Sequence, residues 1–418
     1  AGRAPALQGL DDLTVDSLQW LASIKSRDDQ SDLETVLELF GRSPLTASQQ
    51  AHLFEACELP CCYRLARPGS GRAEGGLAPG RVHYQRREIP RTRFPLAPRI
   101  KRPLDDFRRL STREGQGMID LATLALCSRN LEIFPLIYAN PADVTLVDCG
   151  RGLQVMLAGV LPAHRDPLEA LFFFLILKNG VPLAYGPSSS FVGCCEMGIN
   201  LFPEFRGGEI RFIYAEFMRA MHHLAHVDYF FLTPYGMGEN NDEALASGAF
   251  WFYRRLGFRP SNPEVEDLAR AEEQVMQRQP GYRCSMATLR RLSHTSAYLD
   301  LSGGRCRPLR FGPVGIALSR MLARDFGNDR ARAVPGCVRR LRRTLEIDDY
   351  RQYNEAEREA MERLAPICCL IPDLDQWPRR DRRALARLVR AKGGRSEYRY
   401  VARVLAHPRL VAALRDLS

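Results

Sequence analysis

The sequence predicts an α/β protein: a mixed, mostly antiparallel sheet flanked by helices, with helical regions before and after it. Three observations carry this. Two pairs of apolar, β-type runs (144–148 with 153–160, and 171–177 with 181–185) flank the turn signals Cys149-Gly-Arg-Gly152 and Lys178-Asn179-Gly180. Asn-Gly between such runs is a strong hairpin signal. Residues 209–226 and 241–256 space their apolar side chains as helices do, with a β-type run at 229–233 between them. From Asn262 onward the pattern is helical and rich in arginine.

Taken in order, residues 11–63 show helical spacing. Asp32 is placed to cap the run 33–40, Gly41 to end it, and a second short helix spans 46–58. Residues 67–103 are rich in Gly, Pro and Arg without periodicity, so they read as a linker, an arm over another domain, or a partly disordered segment. A helix near 117–129 precedes the two hairpins. Residues 186–190, with Ser188, Ser189 and Ser190, read as a loop, and 191–202 as one further strand. The segment 203–208 leads to an amphipathic helix at 209–226, the strand 229–233, a helix at 241–256, and a strand or extended segment from Phe258. Residues 263–418 read as helical, with loops at 301–313 and 372–378. The expected division is a helical region (1–66), the linker or arm (67–103), an α/β domain (104–262) and a basic helical region (263–418).

Of 418 residues, 45% are hydrophobic, enough for a sizeable core. No apolar run approaches the roughly 18 residues of a membrane helix. The first residues lack the charged-then-apolar order of a signal peptide, so the expected location is cytoplasmic and no membrane partner is expected. The 12 cysteines do not have the spacing of a disulfide framework. Cys57, Cys61 and Cys62 lack a fourth ligand for zinc, so no metal is expected there. The net charge of +10 is concentrated: residues 263–418 hold 31 basic and 20 acidic side chains, and residues 64–113 hold 14 and 4. These regions read as solvated faces or as surfaces for nucleic acid or an acyl carrier, although no RNA-binding signature accompanies them.

The stretch 246–260, ASGAFWFYRRLGFRP, puts four aromatic residues in a row on a helix that stops at Gly257. A helix apolar over that much of its surface is buried between a sheet and something else, and Gly257 supplies the left-handed closing residue. Together with 200–211, NLFPEFRGGEIR, this stretch carries a resemblance. Residues 143–262 resemble the GNAT superfamily, acyltransferases that move an acyl group from coenzyme A to an amine. The resemblance implies a donor of acetyl-CoA or another acyl-CoA, a small-molecule or protein amine as acceptor, and no metal.

It also implies roles for residues. Tyr253 takes the place of the tyrosine that protonates the departing thiolate; the plainer reading is a core tyrosine. Glu196, on the strand before the loop, is the candidate base, or else an ion-paired glutamate. Leu201, Phe202, Arg206, Gly207, Gly208, Glu209, Ile210 and Arg211 fall where the donor is held, with backbone amides at the helix start facing pyrophosphate. The family's two small positions hold Glu209 and Arg211 here, so an ordinary acyl-CoA enzyme needs Glu209 turned away from the phosphates. Tyr235, Glu239 and Asn240 lie in the loop after the strand 229–233, where ligands commonly bind. His222 and His226, four apart, have metal-binding spacing, but no glutamate lies between them as in HExxH. Acyl transfer by direct attack is the expected function. The alternatives are a catalytically silent scaffold of this fold, or an acyltransferase drawing on an acyl carrier protein or aminoacyl-tRNA.

Overall fold

The computed structural model describes residues 22–27, 29–46, 49–50, 82–84, 96–129, 131–134, 136–205 and 209–418. They belong to two units, Ala1–Pro68 and Gly69–Ser418. In the first, helix α1 (Asp32–Arg42) is capped by Ser31, not Asp32. The Ser31 hydroxyl accepts from Glu34 N–H and Glu34 bonds back to Ser31, a reciprocal box that satisfies two otherwise orphaned amides. Gly41 does not end the helix, which runs one residue past it. The second short helix, expected at 46–58, lies largely outside the described residues.

The second unit is built on a sheet whose strands, among the described residues, are β1 (Phe107–Arg109), β2 (Ala139–Asp148), β3 (Leu153–Val160), β4 (Ala170–Lys178), β5 (Val181–Phe191), β6 (Cys194–Met197), β7 (Asn200–Leu201), β8 (Tyr229–Leu232), β9 (Arg259–Pro260) and β10 (Ala297–Asp300). Their order is β1-β2-β3-β4-β5-β6-β8-β10-β9, with β7 paired to β5. Every pairing is antiparallel except β6 with β8. Both predicted hairpins form; Asn179 and Gly180 take φ of 50° and 79°, the positive values such a turn demands. The backbone of His83 bonds the Asn179 side chain at 2.9 and 3.2 Å, so residues 82–84 lie as an arm across this turn.

Alternation sorts the strands into two faces. Val144, Ala158 and Phe173 share one face and pack under α3 (Thr112–Cys127) through Met118, Ala122 and Leu126. Val147, Val155, Phe174 and Ile176 share the other, under α4 (Ile210–Leu224), where the Phe174 and Phe217 rings stand 4.0 Å apart. Helix α2 (Leu96–Ile100) holds α4 through Arg99, which bonds the fully buried Glu216 at 2.7 Å and lies over Phe212.

Four expectations change. Residues 186–190 belong to β5, and Ser188 and Ser190 are buried. Residues 191–202 are the end of β5, β6 and β7, separated by a turn at Val192-Gly193. The helix expected at 241–256 is two, α6 (Asp242–Ser247) and α7 (Ala249–Leu256), because left-handed Gly248 closes one and opens the other. The region 263–418 is not wholly helical, for it supplies β10, which pairs between β8 and β9.

The rest of that region is α8 (Pro263–Arg278), α9 (Met286–Ser293), α10 (Phe311–Phe326), α11 (Arg330–Leu345), α12 (Glu355–Cys368), α13 (Arg379–Lys392), α14 (Glu397–Leu405) and α15 (Pro408–Asp416). It is tied to the sheet by buried ions. Arg165 donates to Val160 O, Lys392 O and Gly394 O. Lys392 donates to Glu169 O and pairs with Glu397, whose own N–H donates to Asp143. A buried charge is tolerated only with such company.

Candidate active site

The site begins where the one parallel pair among the described residues comes apart. β6 and β8 are in register at Cys194↔Tyr229, Cys195↔Phe230 and Glu196↔Phe231. Beyond Glu196 they diverge in their loyalties. Met197 stays paired with Ser188, and β7 with Ala184 and Tyr185, all on β5. Leu232 stays paired with Ala297 on β10. Among the described residues the two facing edges therefore have no ladder to each other past Glu196, which leaves backbone donors and acceptors for an extended ligand. α4 makes the crossover from β7 to β8, with Glu209 at its start beside Lys178 at the end of β4.

Tyr253 stands on α7, and three of the four adjacent aromatics bury: Phe250, Trp251 and Tyr253 are in the core, while Phe252 is half-buried. α7 opens at Gly248 and closes at Gly257, with φ of 70° and 107°. On its outer side Arg254 is clasped by Glu266 and Glu273 of α8. The Tyr253 ring meets the rings of Phe258 and of Tyr214 on α4, each at 5.7 Å and tilted edge to face. Burial, partly offset by the Tyr214 hydroxyl, leaves its phenol pushed up to about 12. It is therefore protonated at neutral pH, as a proton donor must be. Tyr214 is fully buried, and its Oη has no hydrogen-bond partner among the described residues. Burial, then the neighbouring Tyr253 and last Cys195 raise the cost of ionising it.

Glu196 faces the other way. Cys195 points to the α4 side, so its neighbour points to the opposite face, in the same row as Ser189 and Phe231. Burial raises its pKa and a hydrogen bond from Thr233 lowers it. Ser189 donates to Glu169 at 3.0 Å, and burial together with the nearby charges of Asp166 and Glu196 raises the pKa of Glu169 as well. The candidate base and the candidate acid thus sit on opposite faces of the sheet, flanking the fork.

Arg206, Gly207 and Gly208 lie outside the described residues. Glu209 makes no side-chain cap on α4; its carboxylate lies 3.8 Å from the Lys178 ammonium, at the end of β4. Ile210 begins the helix and Arg211 is half-buried. Leu201 is half-buried on β7, whereas the Phe202 side chain is committed to the core beneath Arg129, leaving only its backbone near the fork.

After β8 comes α5 (Pro234–Met237), on which Tyr235 is 62% exposed. Glu239 is held 2.8 Å from His294, and Asn240 takes the left-handed conformation. These three line the loop above the β8 arm.

α4 ends at Leu224, so His226 is not on the helix face of His222. The His222 and His223 rings meet the carbonyls of Val227 and Arg102 at 2.8 and 2.7 Å. Among the described residues no His, Cys, Asp and Glu group is arranged for a metal, and the cysteines are free thiols; Cys57, Cys61 and Cys62 lie outside them. Residues that sequence reasoning missed are Tyr214, Lys178, Thr233 and Glu169. Each depends on which elements meet in space, and none stands in a motif.

No protein-family model, curated protein or solved structure matches the chain. No helix among the described residues is long and apolar enough to cross a membrane.

Proposed function

We propose that the chain is an acyltransferase of the GNAT type, moving an acyl group, acetyl in the first instance, from coenzyme A to an amine by direct attack. The observation that carries this reading is the fork: parallel strands that part after Glu196 and Phe231, with a buried, protonated Tyr253 on one side and Glu196 on the other. The unpaired backbone past Glu196 suits an extended donor arm, and the uncapped start of α4 suits its phosphates. Glu209, drawn toward Lys178, is positioned not to oppose them.

The chain's residues then divide the work. Glu196, with its raised pKa, takes the proton from the attacking amine. Amides along the fork hold the thioester carbonyl as negative charge develops on it. Tyr253 donates its phenolic proton to the departing thiolate. Phe217, Met218, Phe230 and Leu232 fill the α4 side without exposure, which favours a short acyl group over a fatty chain. The free thiols fit a reducing compartment, and the cytoplasm is the proposed location.

The test is acyl transfer by wild type and Tyr253→Phe. The variant is expected to keep the fold and the donor affinity and to turn over roughly ten- to a thousandfold more slowly, the range for losing a general acid. A fully active variant removes Tyr253 from the chemistry. A second reading, a silent scaffold or an enzyme with a carrier-borne donor, is favoured by the exposed arginines Arg383 and Arg387 on α13 and Arg399 and Arg403 on α14. Binding of an acyl carrier or tRNA that disappears in high salt, without any binding of acyl-CoA, supports that one.

A further inference from the structure

Tyr214 poses a problem of economy. Its ring fills the space between α4 and α7, meeting Tyr253 at 5.7 Å and Phe252 at 5.9 Å. Phenylalanine would fill the same volume. The hydroxyl adds a cost instead: it is fully buried with no partner among the described residues, and a buried polar group without a hydrogen bond destabilises the fold. Such a group calls for a reason.

The reason lies in its neighbour. When Tyr253 gives up its proton, a phenolate is left in a buried site walled by the rings of Phe252, Phe258 and Tyr214. A charge there needs a donor already in place, because water is excluded. The Tyr214 hydroxyl is close enough to bear on the ionisation of Tyr253, yet it makes no hydrogen bond of good geometry in the resting state. It stands on the second turn of α4, so the Tyr214 hydroxyl and a donor bound at the helix start would share one rigid element, while Tyr253 faces it from α7.

We propose that Tyr214 is a positioning residue for the Tyr253 acid: its hydroxyl, which among the described residues makes no hydrogen bond of normal geometry at rest, donates one to the Tyr253 oxygen as that oxygen loses its proton. The inference rests on the acyl-transfer reading. In the step, the amine nitrogen bonds to the thioester carbon and the carbon–sulfur bond breaks. The amine's proton passes to Glu196. The Tyr253 O–H bond breaks as the thiol S–H bond forms. Tyr214 keeps its own proton throughout, and after release of the products solvent returns a proton to Tyr253 and removes one from Glu196.

The experiment compares wild type, Tyr214→Phe, Tyr253→Phe and the double variant on two acetyl donors, acetyl-CoA and the acetyl ester of a nitrothiophenol. The second leaving group is acidic enough to depart without protonation. On acetyl-CoA, Tyr214→Phe is expected to lower kcat about 10- to 100-fold with KM unchanged, the scale of one hydrogen bond to a charged oxygen. On the nitrothiophenyl ester that deficit vanishes. The double variant is no slower than Tyr253→Phe, and Tyr214→Phe melts no lower than wild type because an unpaired hydroxyl has been removed. Equal deficits on both donors, a rise in KM in place of the fall in kcat, or losses that multiply in the double variant overturn the proposal and leave Tyr214 a packing residue. A wild type inert with both donors overturns the acyl-transfer reading itself, an outcome distinct from an active wild type with an unaffected Tyr214→Phe.

Discussion

Replacing Arg254 with leucine tests the setting of the proposed acid. The Arg254 side chain is 3% exposed and makes four charge-assisted hydrogen bonds: Nε and Nη2 to Glu273 at 3.0 and 2.9 Å, Nη2 to Glu266 at 3.1 Å, and Nη1 to the other Glu266 oxygen. Glu266 and Glu273 are two turns apart on α8, so one guanidinium fastens α8 along the back of α7. Breaking a buried pair by removing one partner costs about 3–5 kcal/mol. Here the stranded carboxylates are partly relieved, since Glu273 is a third exposed and Glu266 keeps Arg270 at 2.8 Å. The expected loss is therefore about 2–3 kcal/mol at neutral pH. Burial alone would raise the Glu266 pKa, but the guanidinium holds it below the usual carboxylate value. A depressed pKa contributes stability above the unfolded-state value and loses it as pH falls through the folded one. The gap between wild type and Arg254→Leu, read from urea midpoints, should thus be constant above about pH 5 and close below pH 4. An unchanged midpoint, or a gap indifferent to pH, refutes the reasoning.

Two further outcomes follow from the fork. Glu196→Gln should lower turnover roughly a hundred- to ten-thousandfold and abolish the acid limb of the pH–rate profile, a limb that lies above the ordinary carboxylate range because burial raises this pKa. The stability effect has the opposite sense: a raised pKa favours the fold at low pH and loses that contribution as pH rises through it, so the variant gains stability at neutral pH, seen as a higher Tm that converges with wild type near pH 4. Glu209→Gly should alter acyl-CoA affinity, measured by calorimetry, less than about threefold, because the carboxylate already leans on Lys178. A carboxylate about 5 Å from phosphate would repel it by about 3 kcal/mol, so a hundredfold tightening contradicts this placement.

The hairpins were readable from their turns: Asn179-Gly180 readily accepts two successive left-handed residues, and Gly150 and Gly152 flank left-handed Arg151 in the other. The burial of α7 was readable because four adjacent aromatics have nowhere else to go. Other features were hidden. Ser188, Ser189 and Ser190 look like a loop by composition, yet β5 needs small residues there: Ser188 Oγ sits 3.0 Å from Cys195 Sγ, too close for a larger side chain. β10 is four residues inside a helical stretch, and it exists through its pairing with β8 and β9. The parting of β6 and β8 has no local signature, because it depends on which strand each arm prefers beyond Glu196. Tyr214 was likewise invisible, one buried aromatic among several on α4 until α7 is laid against it.

On the reading proposed above, the fork between β6 and β8 receives an acyl-CoA donor. Hydrogen–deuterium exchange of the full chain with and without acetyl-CoA tests it where it stands. Protection should be confined to peptides covering 197–201, 232–233 and the first turn of α4, the unpaired edges and uncapped amides a donor would satisfy. Protection that falls on the arginine-rich helices α11 and α13 instead, or no protection at saturating acetyl-CoA, contradicts this placement of the donor.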